Sequence, residues 1–130
     1  MWAKLICTGA LLMVLAGGCR RQETGEALAR RLSTADRLIV LNPMDGSALS
    51  ITDDLLKKVV QALRTAQKLK AEPSAAAGYT LVFYNSRVHL ATVPTGADII
   101  FYIDGLPYRD DSGALRAVGE RFQEKHPLSP

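Results

Sequence analysis

The sequence predicts an α+β domain of two layers, in which an antiparallel sheet packs against one long and one short helix. Three observations predict it. Two pairs of β-rich segments in the second half are each joined by a polar dipeptide, the run RLIVLN (37–42) is strand-like, and from Asp53 onward apolar residues recur at spacings of three and four. Apolar residues make up 48% of the 130 and charged residues 22%, which places the chain among globular proteins and excludes a disordered or collagen-like one. One domain is expected at this length.

The first strand, Arg37 to Asn42, is closed by Pro43. Asp45-Gly46 supplies a turn and Ala48 to Ile51 returns along the strand, giving an N-terminal strand or hairpin. The long helix follows from Asp53 to about Leu69, with Thr52 as its cap and Asp53 and Asp54 placing negative charge at the positive helix end. Leu55, Leu56, Val59, Val60, Leu63 and Ala66 form its buried stripe, and EPSAAAG (72–78) breaks the pattern.

A four-stranded meander comes next. Tyr79 to Tyr84 and Arg87 to Thr92 flank Asn85-Ser86; a two-residue turn there sets Phe83 opposite Val88 and Leu81 opposite Leu90 on one face, with Tyr84 beside Arg87 and Val82 beside His89 on the other. Asp98 to Ile103 and Leu106 to Arg109 flank Asp104-Gly105, the dipeptide best suited to a tight hairpin. That turn pairs Ile103 with Leu106 and Phe101 with Tyr108, leaving Ile100 with Arg109 and Tyr102 with Pro107 on the opposite face. Because Pro107 has no N–H to donate, the last strand is expected at the sheet edge. Asp111 or Ser112 would cap a short closing helix with Leu115, Val118 and Phe122 on its inner side. The helices should cover Leu81, Phe83, Val88, Leu90, Ile99, Phe101 and Ile103.

Chemistry is sparse. The only histidines, His89 and His126, share no ligand spacing, so no metal is expected. There is no G-x-S-x-G and no P-loop or dinucleotide fingerprint. The pairs Asp53-Asp54 and Asp110-Asp111 sit at helix starts, where capping explains them. What remains is a mixed sheet face of Val82, Tyr84, Arg87, His89, Ile100, Tyr102 and Arg109, rich in the tyrosine and arginine that dominate binding hot spots. An alternative is a small hydrolase or ligand carrier with a cleft between helix and sheet, using Asp98 and His89.

The first residues carry a different message. After Lys4, Leu5 to Gly17 form an apolar run of 13 residues, within the roughly 7–15 of a signal-peptide core and short of the about 20 that a spanning helix needs. The run ends in Leu15-Ala16-Gly17-Gly18-Cys19, which resembles the lipobox of bacterial lipoproteins, although Ala16 stands where that motif most often has leucine. The resemblance implies cleavage between Gly18 and Cys19 and a covalent lipid on Cys19, with no other cofactor. Cys7 would leave with the signal, so no internal disulfide is expected. Each buried acyl CH₂ contributes about 0.8 kcal/mol, and the two or three chains of such proteins make attachment effectively permanent. In Gram-negative members an Asp after the cysteine favours the inner membrane; Arg20 stands there, which implies the outer membrane, facing the periplasm.

Residues 1–18 are therefore expected to be a signal peptide, 19–35 a lipidated tether with room for a short helix, 36–123 the α+β domain, and 124–130 a flexible tail. Removal of Lys4 leaves 15 basic and 13 acidic side chains, interspersed, which argues against a nucleic-acid partner. The expectation is an envelope lipoprotein without enzymatic activity, held to the membrane by its lipid and binding an envelope protein as an inhibitor or accessory module.

Overall fold

The computed structural model describes residues 23–70, 77–96 and 99–127. Among these, seven antiparallel strands form one sheet with three helices. The elements run α1 (Gly25–Arg31), β1 (Arg37–Leu41), β2 (Ala48–Ile51), α2 (Asp54–Thr65), β3 (Gln67–Lys68), β4 (Ala77–Asn85), β5 (Val88–Gly96), β6 (Ile100–Ile103), β7 (Leu106–Arg109) and α3 (Ala114–Lys125). Across the sheet the order is β2-β1-β4-β5-β6-β7-β3. The expected hairpin thus lies beside the expected meander, and a short strand not foreseen from the sequence, β3, completes the far edge.

Strand alternation sorts the side chains onto two faces. Leu38 and Val40 of β1 stand opposite Phe83 and Leu81 of β4 on one side and Ile51 and Leu49 of β2 on the other. Together with Val93, Phe101 and Ile103 they form the sheet half of the core. The helices supply Leu28 and Ala29 from α1, with Leu32 at its C-cap, Leu55, Leu56, Val59, Ala62 and Leu63 from α2, and Leu115, Val118 and Phe122 from α3. Burying each large side chain contributes about 1.5–3 kcal/mol, so the covered face is where the fold is held.

Several expectations change in detail. The folded unit begins before residue 36, because α1 and its C-cap Leu32 pack three apolar side chains into the core; the sequence 19–35 looked like a spacer because its apolar spacing is short and its arginines are many. α1 lies close on α2: a Cβ at Gly25 would stand 2.3 Å from the Leu63 carbonyl oxygen, so only glycine fits. α2 starts one residue later than expected and ends at Thr65 because β3 takes over, and Asp53 rather than Thr52 caps it, accepting the Leu55 N–H at 3.1 Å. α3 is not short but equals α2 at 12 residues, extending into the expected tail as far as Lys125. His126 beyond it approaches the Ala48 carbonyl at 2.7 Å and the Phe122 ring at 4.8 Å.

The start of α3 is built around Asp110, only 3% exposed. Its carboxylate accepts the N–H groups of Ser112 (2.8 Å) and Leu115 (3.0 Å) and the Ser112 hydroxyl (2.5 Å). Gly113, at φ 86, is the N-cap and offers no side chain, so Asp110 does from inside what Asp111 or Ser112 was expected to do. Ser112 assists through its hydroxyl oxygen, which accepts the Ala114 N–H at 3.2 Å. Asp111 turns outward onto Arg109.

The two meander hairpins differ. Asp104 and Gly105 adopt φ 52 and 77, as a tight turn with two left-handed residues requires, and all four expected pairings follow. In the other hairpin the turn is Ser86-Arg87, with Asn85 opposite Val88 and Tyr84 opposite His89. A bulge at Leu90 then sets Phe83 opposite Ala91, Val82 opposite Thr92 and Leu81 opposite Val93. Val88, expected in the core, is 63% exposed. The cause is Asp36, whose carboxylate oxygens accept the Ser86 N–H at 2.9 and 3.0 Å and fix the turn one residue along. β7 is not the edge either: Leu69 N–H donates to the Pro107 carbonyl at 2.9 Å as β3 pairs beside it. An antiparallel residue's N–H and C=O leave the strand on the same side, so the missing Pro107 N–H faces β3 and costs the β6–β7 ladder nothing.

Candidate functional site

Alternation that sends Leu38, Val40, Leu81 and Phe83 into the core sends Arg37, Ile39, Leu41, Val82 and Tyr84 to the opposite face. No described element covers that face. Its centre is Val82, half-buried, flanked directly by Ile39 of β1 and Thr92 of β5. Toward one end the Arg37 guanidinium stands over the Tyr84 ring, 5.4 Å from its centroid, and the His89 ring meets Tyr84 edge-on at 5.9 Å. The His89 Nε2 is 2.8 Å from the Thr92 hydroxyl, which orients the imidazole along the strand. Tyr102, half-buried, stands beside Pro107 on the β6–β7 side.

Five of the residues expected to form a binding face, Val82, Tyr84, His89, Tyr102 and Arg109, share this surface. Arg87 does not: it lies in the turn, off the strand register. Ile100 faces this side but is 5% exposed and lies outside the main core cluster, so it offers little contact area. Arg109 is tied at 2.8 Å by Asp111, with Gln67 accepting at 3.2 Å, so its charge is already spent locally. The sequence reading missed Arg37, Ile39 and Leu41. Their signal was present as an alternation with Leu38 and Val40, but only the long-range pairing of β1 with β4 shows which residues they join.

A second concavity runs between α2 and α3. One part, of about 390 Å³, is lined by Asp53, Asp54, Lys58, Glu120, Arg121 and Glu124, and its Arg121–Asp53 ion pair is 2.7 Å long. The Asp53 carboxyl is held below its ordinary value by the Leu55 N–H and then by Arg121. The groove continues toward Gly113 as a space of about 260 Å³. It is a seam between helices, not a cleft between helix and sheet. Asp98, the acid proposed for such a cleft, lies outside the described residues, and His89 is on the open sheet face.

Among the described residues no group of three or more His, Cys, Asp or Glu side chains converges to hold a metal, and no helix is long and apolar enough to cross a membrane. Cys19 and the Gly18–Cys19 junction also lie outside the described residues. No protein-family model matches the sequence, and neither a curated protein nor a solved structure matches it.

Proposed function

We propose that the chain is a bacterial envelope lipoprotein, anchored by lipid on Cys19, whose domain binds another envelope protein through the open sheet face and performs no catalysis. In a Gram-negative cell it would sit on the outer membrane, facing the periplasm. The observation that carries the binding reading is this face, which no described element covers: Ile39, Val82 and Tyr84 are half-buried beside Arg37, and Tyr102 is half-buried two strands from Val82, on β6 across β5. Large aromatic side chains bordered by a guanidinium are the groups that contribute most when such a surface is desolvated by a partner. The partner that fits presents an apolar patch with a carboxylate placed for Arg37.

Two experiments test the two halves of the proposal. Cys19→Ser should abolish incorporation of labelled fatty acid, and retained labelling would remove the anchor. Replacing Tyr84 and Tyr102 with serine in the lipidated protein should eliminate a specific partner from envelope affinity capture. An unchanged set of captured proteins would remove this face.

A further inference from the structure

The structure shortens the tether. Glu23 is already fixed, its N–H donating to the Asp104 carboxylate at 2.5 Å and its carboxylate paired with Arg31 at 2.8 Å. If Cys19 carries the lipid, only residues 20–22 separate it from that fixed point, and four steps of chain span at most roughly 14 Å. The anchor therefore leaves the fold beside the β6–β7 turn.

The β4–β5 hairpin points the same way and projects beyond that turn. β6 pairs with β5 at Ile100–Gly96 and Phe101–Thr95, so Asp104 lies level with Thr92, and the hairpin continues to Val88. Allowing for the bulge at Leu90, this lead is about three residues, or roughly 10 Å at about 3.4 Å per residue. α1 leads toward the same tip: Arg31 donates to the Leu90 carbonyl at 2.5 Å. The tip carries Val88, 63% exposed, next to Arg87, which makes no ion pair among the described residues. The other exposed large hydrophobic described, Met44, sits at the opposite end, because β1 runs from Arg37 beside Tyr84 to Leu41 beside Thr80 before its turn.

We infer that the Ser86-Arg87-Val88 tip is a second membrane contact, resting on the phospholipid headgroups of the bilayer that holds the Cys19 lipid. This rests on the lipid-anchor reading above. A linker reach of roughly 14 Å less a lead of roughly 10 Å leaves a few ångströms, comparable with the headgroup layer of roughly 5–8 Å on each side of the hydrocarbon. Arg87 meets lipid phosphate there, and Val88 enters the interface. The contact turns the strands upright on the membrane and leaves the open face accessible from the side.

The test uses the full-length, lipid-modified protein in vesicles of phosphatidylethanolamine and phosphatidylglycerol, with a nitrobenzoxadiazole probe on Val88→Cys or, separately, Met44→Cys. Both positions are exposed, so labelling leaves the core untouched. Intact mass and flotation are measured first, and a protein without lipid mass overturns both the anchor and the contact. With lipid present, a headgroup-attached spin label should quench the probe at 88 several-fold more than at 44, and Arg87→Glu should reduce the quenching at 88 without releasing protein from the vesicles. Equal quenching at the two positions, or no effect of Arg87→Glu, overturns the contact and leaves the anchor standing.

Discussion

The two faces of the sheet are made from the same strands yet are held differently. On the covered face, Phe83, Phe101, Leu38 and Leu81 are fully buried under three helices, and the polar groups that must enter this layer are satisfied, as Asp110 is by three donors from Ser112 and Leu115. On the open face, Ile39, Val82, Tyr84 and Tyr102 are half-buried, with no described element packed over them. Stability is thus concentrated on one side, while the other carries aromatic and basic groups that stay partly exposed.

That contrast is open to measurement by urea denaturation. Phe83→Ala should cost about 3–5 kcal/mol through its cavity, whereas Tyr102→Ala should cost about 1 kcal/mol or less; similar losses would mean that the open face is structural too. Asp110→Ala should cost about 2 kcal/mol, because Ser112 and Leu115 lose their acceptor at a buried helix start, with faster amide exchange confined to the first turn of α3. Asp36→Ala should cost about 1 kcal/mol and expose the Ser86 amide to exchange, sharpening the view that a long-range bond sets the β4–β5 turn.

The smallest effect is a pH dependence in the helix layer. The Asp53 carboxyl sits below its ordinary value of 3.8, so its contribution is present above that pH and is lost as pH falls through the lower, folded value. The stability gap between the parent and Asp53→Asn should therefore be constant near neutrality and close only below about pH 3.8. A gap that persists in acid would assign it to packing instead.

What the sequence made legible was local. Asp104-Gly105 dictates its own turn geometry, and the β6–β7 register followed residue for residue. Asn85-Ser86 carries a weaker preference, and an aspartate fifty residues earlier decided the outcome, moving Tyr84 from beside Arg87 to beside His89. α1 was hidden because a seven-residue helix has little stability of its own; Leu28, Ala29 and Leu32 fold it by docking on α2. The site was legible where it follows strand alternation, at Val82, Tyr84 and Tyr102, and illegible where it depends on which strand lies beside β4. Arg37 and Ile39 belong to it for that reason alone.

Crosslinking in intact cells tests the central claim most directly, with a photoreactive amino acid placed at Val82 or Tyr102 on the open face and at Lys57 or Arg116 on the exposed surface of the helix layer. The account predicts one discrete protein adduct from the open-face positions, lost when Tyr84 is changed to serine, and none in common with the helix positions. Adducts only from Lys57 or Arg116, or the same adducts from both sides, would contradict it.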